Sequence, residues 1–209
     1  MYFYQLLSRN QNGGAISFTI ADSTLTLKRN TFIKCCISGD MVHSGSFFSS
    51  SMNNWIEGNC IYQCSSMYRC PAYYVKQQNG YENSTMNVFV ECIDQGDLEL
   101  FCGGSWTLDN TIKHLNASHN YTPSKYHTFF IGANWNGHGY SFHRVLQTLI
   151  SANSILQPLF PWLGTVIFDE LCIIDNSGSG DLVATRDLTT VTFIDSIFAH
   201  NSQTAFGII

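Results

Sequence analysis

Charge is scarce in this sequence. Of 209 residues only 12% are Asp, Glu, Lys or Arg, about half the ~25% usual for soluble domains. Ten basic residues stand against fifteen acidic ones, a net charge of −5. A nucleic-acid binder needs a basic surface to displace counterions from phosphates, so no nucleic-acid partner is expected. Proline is rare, at four residues. Long apolar runs are missing too. The stretches near Leu146–Ile150 and Leu163–Phe168 suit buried strands and fall far short of the ~18 apolar residues of a membrane span. No secretory signal is visible in Met1–Asn10, which has no basic start and whose apolar stretch is interrupted by Gln5 and Ser8.

What is present replaces charge with small neutral polar groups. Hydrophobic residues make up 44% of the chain, enough to bury a core, and Ser, Thr and Asn number 22, 16 and 17. With sixteen glycines, this composition predicts short strands joined by polar turns. The length predicts a single domain over 1–209.

A repeat runs through the whole chain. Short phrases end alike, with an apolar residue, two further residues and then Asn, Cys or Thr. The end positions are Asn10, Cys35, Cys64, Cys92, Asn120, Thr148, Asn176 and Asn201, spaced 25, 29, 28, 28, 28, 28 and 25. The column three before each end is apolar: Leu7, Phe32, Ile61, Phe89, Ala117, Val145, Ile173 and Phe198. The column just before each end is polar throughout, from Arg9 and Lys34 to Asp175 and His200. The column eight before is apolar in seven of eight positions, and the column four after is small in seven of eight. No sustained 3.6-residue stripe argues for helices.

These columns predict an all-β fold, a right-handed parallel β-helix solenoid of about seven to eight coils of ~28 residues. In Thr24-Leu25-Thr26-Leu27 the alternation places Leu25 and Leu27 on one face. Lys28-Arg29 then turns the chain, Asn30 and Phe32 point inward, Lys34 points out and Cys35 closes the corner. Stacked coils lie ~4.8 Å apart and put like above like. One coil cannot bury its apolar face alone, but several share a continuous core. An inward Asn at each corner can bond backbone groups where the sheet ladder is interrupted. Neutral columns also avoid like-charge repulsion between rungs.

The tetrapeptide Gly13-Gly14-Ala15-Ile16 and the Phe-x-x-Asn phrase at Phe198–Asn201 resemble the repeat of polymorphic outer membrane proteins. The chain is also similar to Cys- and Asn-rich surface proteins of parasitic protists. Both belong with the right-handed parallel β-helix, or pectin-lyase-like, proteins. The resemblance implies an extracellular or cell-surface scaffold of adhesion type. It carries over no catalytic residues and no cofactor, and it implies a host or cell-surface protein or glycan as partner.

Several candidate chemistries compete with that reading. Cys35, Cys64 and Cys92 occupy one column, with stacked Cα atoms ~5 Å apart, within disulfide reach; the alternative is a ladder of reduced thiols acting as small apolar corner residues. Cys36, Cys60, Cys70, Cys102 and Cys172 show no pattern, and without a Cys-x-x-Cys pair no zinc or other metal is expected. Glu170 and Asp195, both six before their ends, form the best carboxylate pair for a pectin-lyase-like hydrolase or lyase. Their column, shared with Arg29 and Gly58, reads as an exposed turn. Asp175 and His200 stack in the polar column as a surface pair. Gly137-His138-Gly139 echoes one polygalacturonase motif, but the clustered aspartates and basic motif of such enzymes are missing. Asp181, Arg186 and Asp187 form a dense group that a polar loop explains. Trp55, Trp106, Trp135 and Trp162 fall on separate coils; exposed ones would stack on sugar rings, as in a sugar-binding module, and inward ones would fill the core. Asn83, Asn116 and Asn120 begin N-glycosylation sequons, with Asn120 expected to be unavailable in its inward column. Neither end has a recognisable cap, so the expectation is an excerpt of a longer solenoid or end-to-end pairing.

Overall fold

The computed structural model describes residues 1–39, 44–67, 72–94, 101–121, 127–132, 142–151, 153, 157–162, 164–178, 180–185, 189–202 and 206–208. Every strand pairing among them is parallel, and no helix is present among them. The chain is an all-β parallel solenoid.

Its first wall is an eight-stranded sheet of three-residue strands: Tyr2–Tyr4, Thr31–Ile33, Cys60–Tyr62, Val88–Val90, Asn116–Ser118, Leu149–Ser151, Cys172–Ile174 and Ile197–Ala199. Each strand is one rung. The second wall has four short strands, Leu7–Arg9, Cys36–Ser38, Ser65–Ser66 and Ile93–Asp94. The third is a thirteen-stranded path that includes Thr24–Lys28, Asn53–Glu57 and the thirteen-residue strands Tyr73–Thr85 and Phe101–Lys113. Complete three-walled turns among the described residues are therefore fewer than the seven to eight coils expected.

The period-two pattern decides what each strand buries. In Thr24–Lys28 the burial alternates, with Leu25 and Leu27 inside. In the first wall the middle residue of each strand points inward. Backbone register stacks Phe3 on Phe32, then Ile61, Phe89, Ala117, Ile150, Ile173 and Phe198. Phe3 and Phe32 lie ring on ring at 4.8 Å. From the third wall, Phe47 stacks on Tyr73 at 5.2 Å and Phe168 on Phe193 at 5.2 Å. Full burial of such side chains contributes roughly 1.5–3 kcal/mol each, and no single rung could supply the enclosure alone.

Both corners of the first wall are built in one way. A residue in the left-handed region bends the chain, and the next residue points inward. Before the strand the bending residues are Arg29, Gly58, Met86, His114, Gln147, Glu170 and Asp195, with φ of 45–64°. After it they are Gln5, Lys34, Gln63, Glu91, His119, Asp175 and His200, with φ of 50–57°. A left-handed non-glycine residue costs roughly 1–2 kcal/mol. The inward ladders beside them offset that cost.

At the first corner Asn30, Asn59 and Asn87 form a ladder. Asn59 Oδ1 accepts from both Asn30 N and Nδ2 at 3.0 Å, and Asn87 Oδ1 accepts from Asn59 N and Nδ2 at 2.9 and 3.0 Å. At the second corner Asn120, Asn153, Asn176 and Asn201 repeat the pattern, with Asn201 Oδ1 accepting from Asn176 N and Nδ2 at 2.9 Å. The two ladders are complementary. Rungs with Asn30, Asn59 and Asn87 at the first corner carry Cys35, Cys64 and Cys92 at the second. Rungs with Asn120, Asn153, Asn176 and Asn201 at the second corner carry Leu115, Thr148, Leu171 and Ser196 at the first. From the second rung on, each rung holds one inward corner asparagine, and the ladder changes corner once.

Two of the expected ladder residues lie elsewhere. Thr148 stands at the first corner, where its Oγ1 donates to Leu146 O at 3.2 Å. Asn153 takes the place expected for it, so the asparagine spacing there is 33 and then 23 residues rather than 28 and 28. Accordingly Ile150 fills the first-wall column and Val145 belongs to the third wall, between Ile112 and Phe168. A solenoid fixes the length of its walls and lets the loops between them vary, so a constant period drifts across one long and one short coil. Asn10 is displaced in the same way. It ends a strand of the second wall in a left-handed turn with φ of 56°. Its N–H bonds Ser38 O at 3.0 Å, and a Cβ on the stacked Gly39 would lie 2.2 Å from Asn10 Oδ1. Leu6 occupies the ladder place in that rung, and Leu7 is 55% exposed.

Candidate functional site

The thiol ladder is the first candidate. Cys35, Cys64 and Cys92 are fully buried free thiols in one column. Each points its sulfur at the carbonyl of the middle residue one rung back: Cys35 Sγ to Phe3 O at 3.8 Å, Cys64 Sγ to Phe32 O at 3.7 Å and Cys92 Sγ to Ile61 O at 3.9 Å. In the asparagine half of the column the same carbonyls receive Nδ2, as in Asn120 to Phe89 O at 3.3 Å and Asn153 to Ala117 O at 3.1 Å. Cysteine thus stands in for the amide donor as a small, weakly donating residue. Burial pushes the Cys92 thiol up to about 12. Cys64 donates to Cys35, which raises Cys64 and lowers Cys35. Cys70 and the side chain of Cys102 lie outside the described residues.

The carboxylate pair Glu170 and Asp195 sits on adjacent rungs in the left-handed turn column that also holds Arg29 and Gly58. Both side chains are exposed. Glu170 Oε2 accepts from Gln147 Nε2 at 3.0 Å, and the two carboxyl groups border an open depression with His114 and Gln147. Asp175 Oδ1 and His200 Nδ1 stand 3.3 Å apart, both largely in solvent. Gly137-His138-Gly139, Trp135, Arg186 and Asp187 lie outside the described residues, as do the side chains of Trp106 and Trp162. Among the sequons, Asn120 is 1% exposed and its Nδ2 is bonded within the ladder, whereas Asn83 and Asn116 are half-buried.

Sequence reasoning missed one cleft. It lies on the third wall, where Asn53–Glu57, the end of Tyr73–Thr85 and the end of Phe101–Lys113 run side by side. The register between Tyr73–Thr85 and Phe101–Lys113 shifts between Gln77 and Tyr81, an irregularity of the kind that re-aims side chains. The cleft holds about 250 Å³. Its outer side carries Trp55, 50% exposed, and Tyr81, 52% exposed, with Asn53 and Asn83 beside them.

Behind them the inward column reads Asn54, Glu82, Asn110, all in direct register and at most 3% exposed. Asn54 is saturated: its Oδ1 accepts from the Ser49 and Ser51 hydroxyls, and its Nδ2 donates to Ser51 O at 2.9 Å. Glu82 Oε1 lies 3.5 Å from the Tyr73 hydroxyl. Asn110 differs. Neither its Oδ1 nor its Nδ2 has a hydrogen-bond partner among the described residues, although both are buried. An unpaired buried amide costs roughly 1–3 kcal/mol per group. Trp55 was singled out by its aromatic ring alone; Tyr81, Asn53 and Asn83 come beside it on the outer face only through stacking.

No family model matches the chain, and neither a curated protein nor a solved structure was found to be similar to it.

Proposed function

We propose that this chain is a non-enzymatic scaffold of the extracellular space or a cell surface, and that the third wall is the face it holds toward a partner. The observation that carries the reading is the pair Trp55 and Tyr81, half exposed on neighbouring strands of a fixed parallel sheet. Aromatic side chains held rigid at a surface lose little entropy on binding and are the usual anchors of interfaces. The likeness of Gly13–Ile16 and Phe198–Asn201 to polymorphic outer membrane protein repeats supports the same assignment. The test is binding of the purified chain to a glycan array and to intact cells, with the double variant Trp55→Ala, Tyr81→Ala alongside. Binding without turnover, lost in the double variant, supports the scaffold.

A second reading, a polysaccharide hydrolase or lyase of the pectin-lyase-like kind, draws on Glu170 and Asp195 meeting on adjacent rungs. Release of reducing ends or unsaturated products that disappears in Glu170→Gln, Asp195→Asn would replace the scaffold reading with that one.

A further inference from the structure

We infer that the outer face of the first wall is a self-association surface, on which a second copy of this chain packs face to face with its rungs in reverse order. Rungs one to eight of that wall run from Tyr2–Tyr4 to Ile197–Ala199. The middle residue of each strand points inward, so the first and third residues face out. None of these sixteen outward positions is charged, and twelve are aliphatic, aromatic or cysteine. Ile33, Val88, Val90, Leu149, Ile174 and Ile197 run down the wall, each half-buried or exposed. A sheet with one face in water ordinarily alternates apolar residues inside with polar residues outside. An apolar patch rimmed by polar residues marks an interaction site.

The rim selects the partner. The left-handed turn residues stand along both edges of the apolar strip. On rung two they are Arg29 and Lys34, and on rung seven Glu170 and Asp175, all four exposed. Among the described residues neither Arg29 nor Lys34 forms an ion pair. A two-fold axis parallel to the strands lays rung two over rung seven and keeps each corner over the same corner. Arg29 then meets Glu170 and Lys34 meets Asp175, each twice by symmetry. At the centre, where rung four lies over rung five, Glu91 meets His119. The other face-to-face arrangement, about an axis along the stack, sets Arg29 over Lys34 and Glu170 over Asp175. It places like charge on like, so the rim favours the reversed order. Arg–Glu and Lys–Asp pairs are long enough to bridge the ~10 Å between packed sheets.

The area suffices. Eight strands spaced ~4.8 Å make the strip about 35 Å long, and three residues with a turn residue on each side make it about 16 Å wide. Two such strips bury about 1,000 Å², the lower end of what a specific interface needs. The third wall stays free in that pair, so the face proposed for a partner is unobstructed.

Sedimentation equilibrium of the full chain at low salt tests the dimer. A dissociation constant on the order of 10–100 µM is expected, weakened about tenfold or more by high salt. Val90→Lys, at the outward centre of the wall, is expected to weaken the dimer about tenfold or more, and its thermal melt, close to that of the wild type, checks the fold. Two charge-reversed variants, Arg29→Glu with Lys34→Glu and Glu170→Lys with Asp175→Lys, are each expected to self-associate about tenfold or more weakly. Mixed in equal amounts they regain opposite charges at all four places, and the mixture is expected to dimerise about as tightly as the wild type.

A chain that stays monomeric up to about tenfold above that range, an unchanged dimer in Val90→Lys, or a mixture no tighter than its two components overturns the inference. So does a monomeric chain that floats with phosphatidylcholine vesicles and loses them in Val90→Lys, which would assign the face to lipid.

Discussion

Replacing Asn153 by Ala tests the corner ladder at the place where the sequence period misleads. Asn153 Oδ1 accepts from Asn120 N at 2.8 Å and from Asn120 Nδ2 at 3.0 Å, and its Nδ2 donates to Ala117 O at 3.1 Å and to Asn176 Oδ1 at 2.8 Å. Truncation removes all four bonds. Asn120 Nδ2 keeps Phe89 O, and Asn176 Oδ1 keeps the N–H of residue 153. The buried Asn120 N–H loses its ladder acceptor. With roughly 1 kcal/mol for each of the three other bonds and 1–3 kcal/mol for the stranded donor, the expected loss is about 4–6 kcal/mol. Thr148→Val, five residues earlier, removes one bond of 3.2 Å and should cost only about 1 kcal/mol. Urea unfolding analysed by linear extrapolation measures both, and amide exchange at Asn120 reads the stranded donor directly. A loss under about 1 kcal/mol for Asn153→Ala, or an equal loss for Thr148→Val, would refute the ladder as described.

Two further perturbations address the core and the thiols. Phe89→Asp should abolish the cooperative unfolding transition, because it places a charge at a fully buried position between Ile61 and Ala117 and against Tyr73; a near-wild-type melt would mean that the register is wrong. Alkaline pH should destabilise the fold. The Cys92 thiol is raised from its ordinary value of 9.0 to about 12, so its contribution is whole below pH 9 and is lost as pH rises through that window, at ~1.4 kcal/mol per pH unit. Cys64, also raised, acts with the same sign, while the lowered Cys35 changes stability only below pH 9. Cys92→Val should flatten the alkaline slope of the unfolding free energy by about one proton, and an unchanged slope would contradict the burial of that thiol.

Much of the fold was legible because a parallel solenoid writes its geometry into the sequence as columns. Arg29, Asn30, Phe32, Lys34 and Cys35 turn, point inward or point outward as their pattern predicts, since each role follows from a three-residue strand between two left-handed corners. Wherever the coil length held at 28 or 29 residues, one column led to the next. It broke between Asn120 and Asn176, where one long coil is balanced by one short one. The midpoint Thr148 is then a reasonable guess from spacing and a wrong one from hydrogen bonding. Asn10 misled for another reason: asparagine suits a left-handed turn as well as a ladder, and the letter alone does not say which. The first-corner ladder escaped because Leu115, Thr148, Leu171 and Ser196 interrupt it, and only the register shows that the asparagine has moved to the other corner.

The cleft was less legible. Asn54, Glu82 and Asn110 are separated by 28 residues each, so their meeting is implicit in the period. Polar residues spaced in that way usually read as solvent-facing, and strand parity alone assigns them to the interior. The sequence by itself determined the class of fold, the inward apolar column and the neutral character of the surface, because these depend on periodicity and composition, which are local. Tertiary structure alone decided which asparagines bond one another, which carboxyls are buried, and that Trp55 and Tyr81 share the outer face of the third wall. Those outcomes depend on loop lengths and on register between rungs, and a shift of a few residues in one loop reassigns every contact without changing the pattern along the strand.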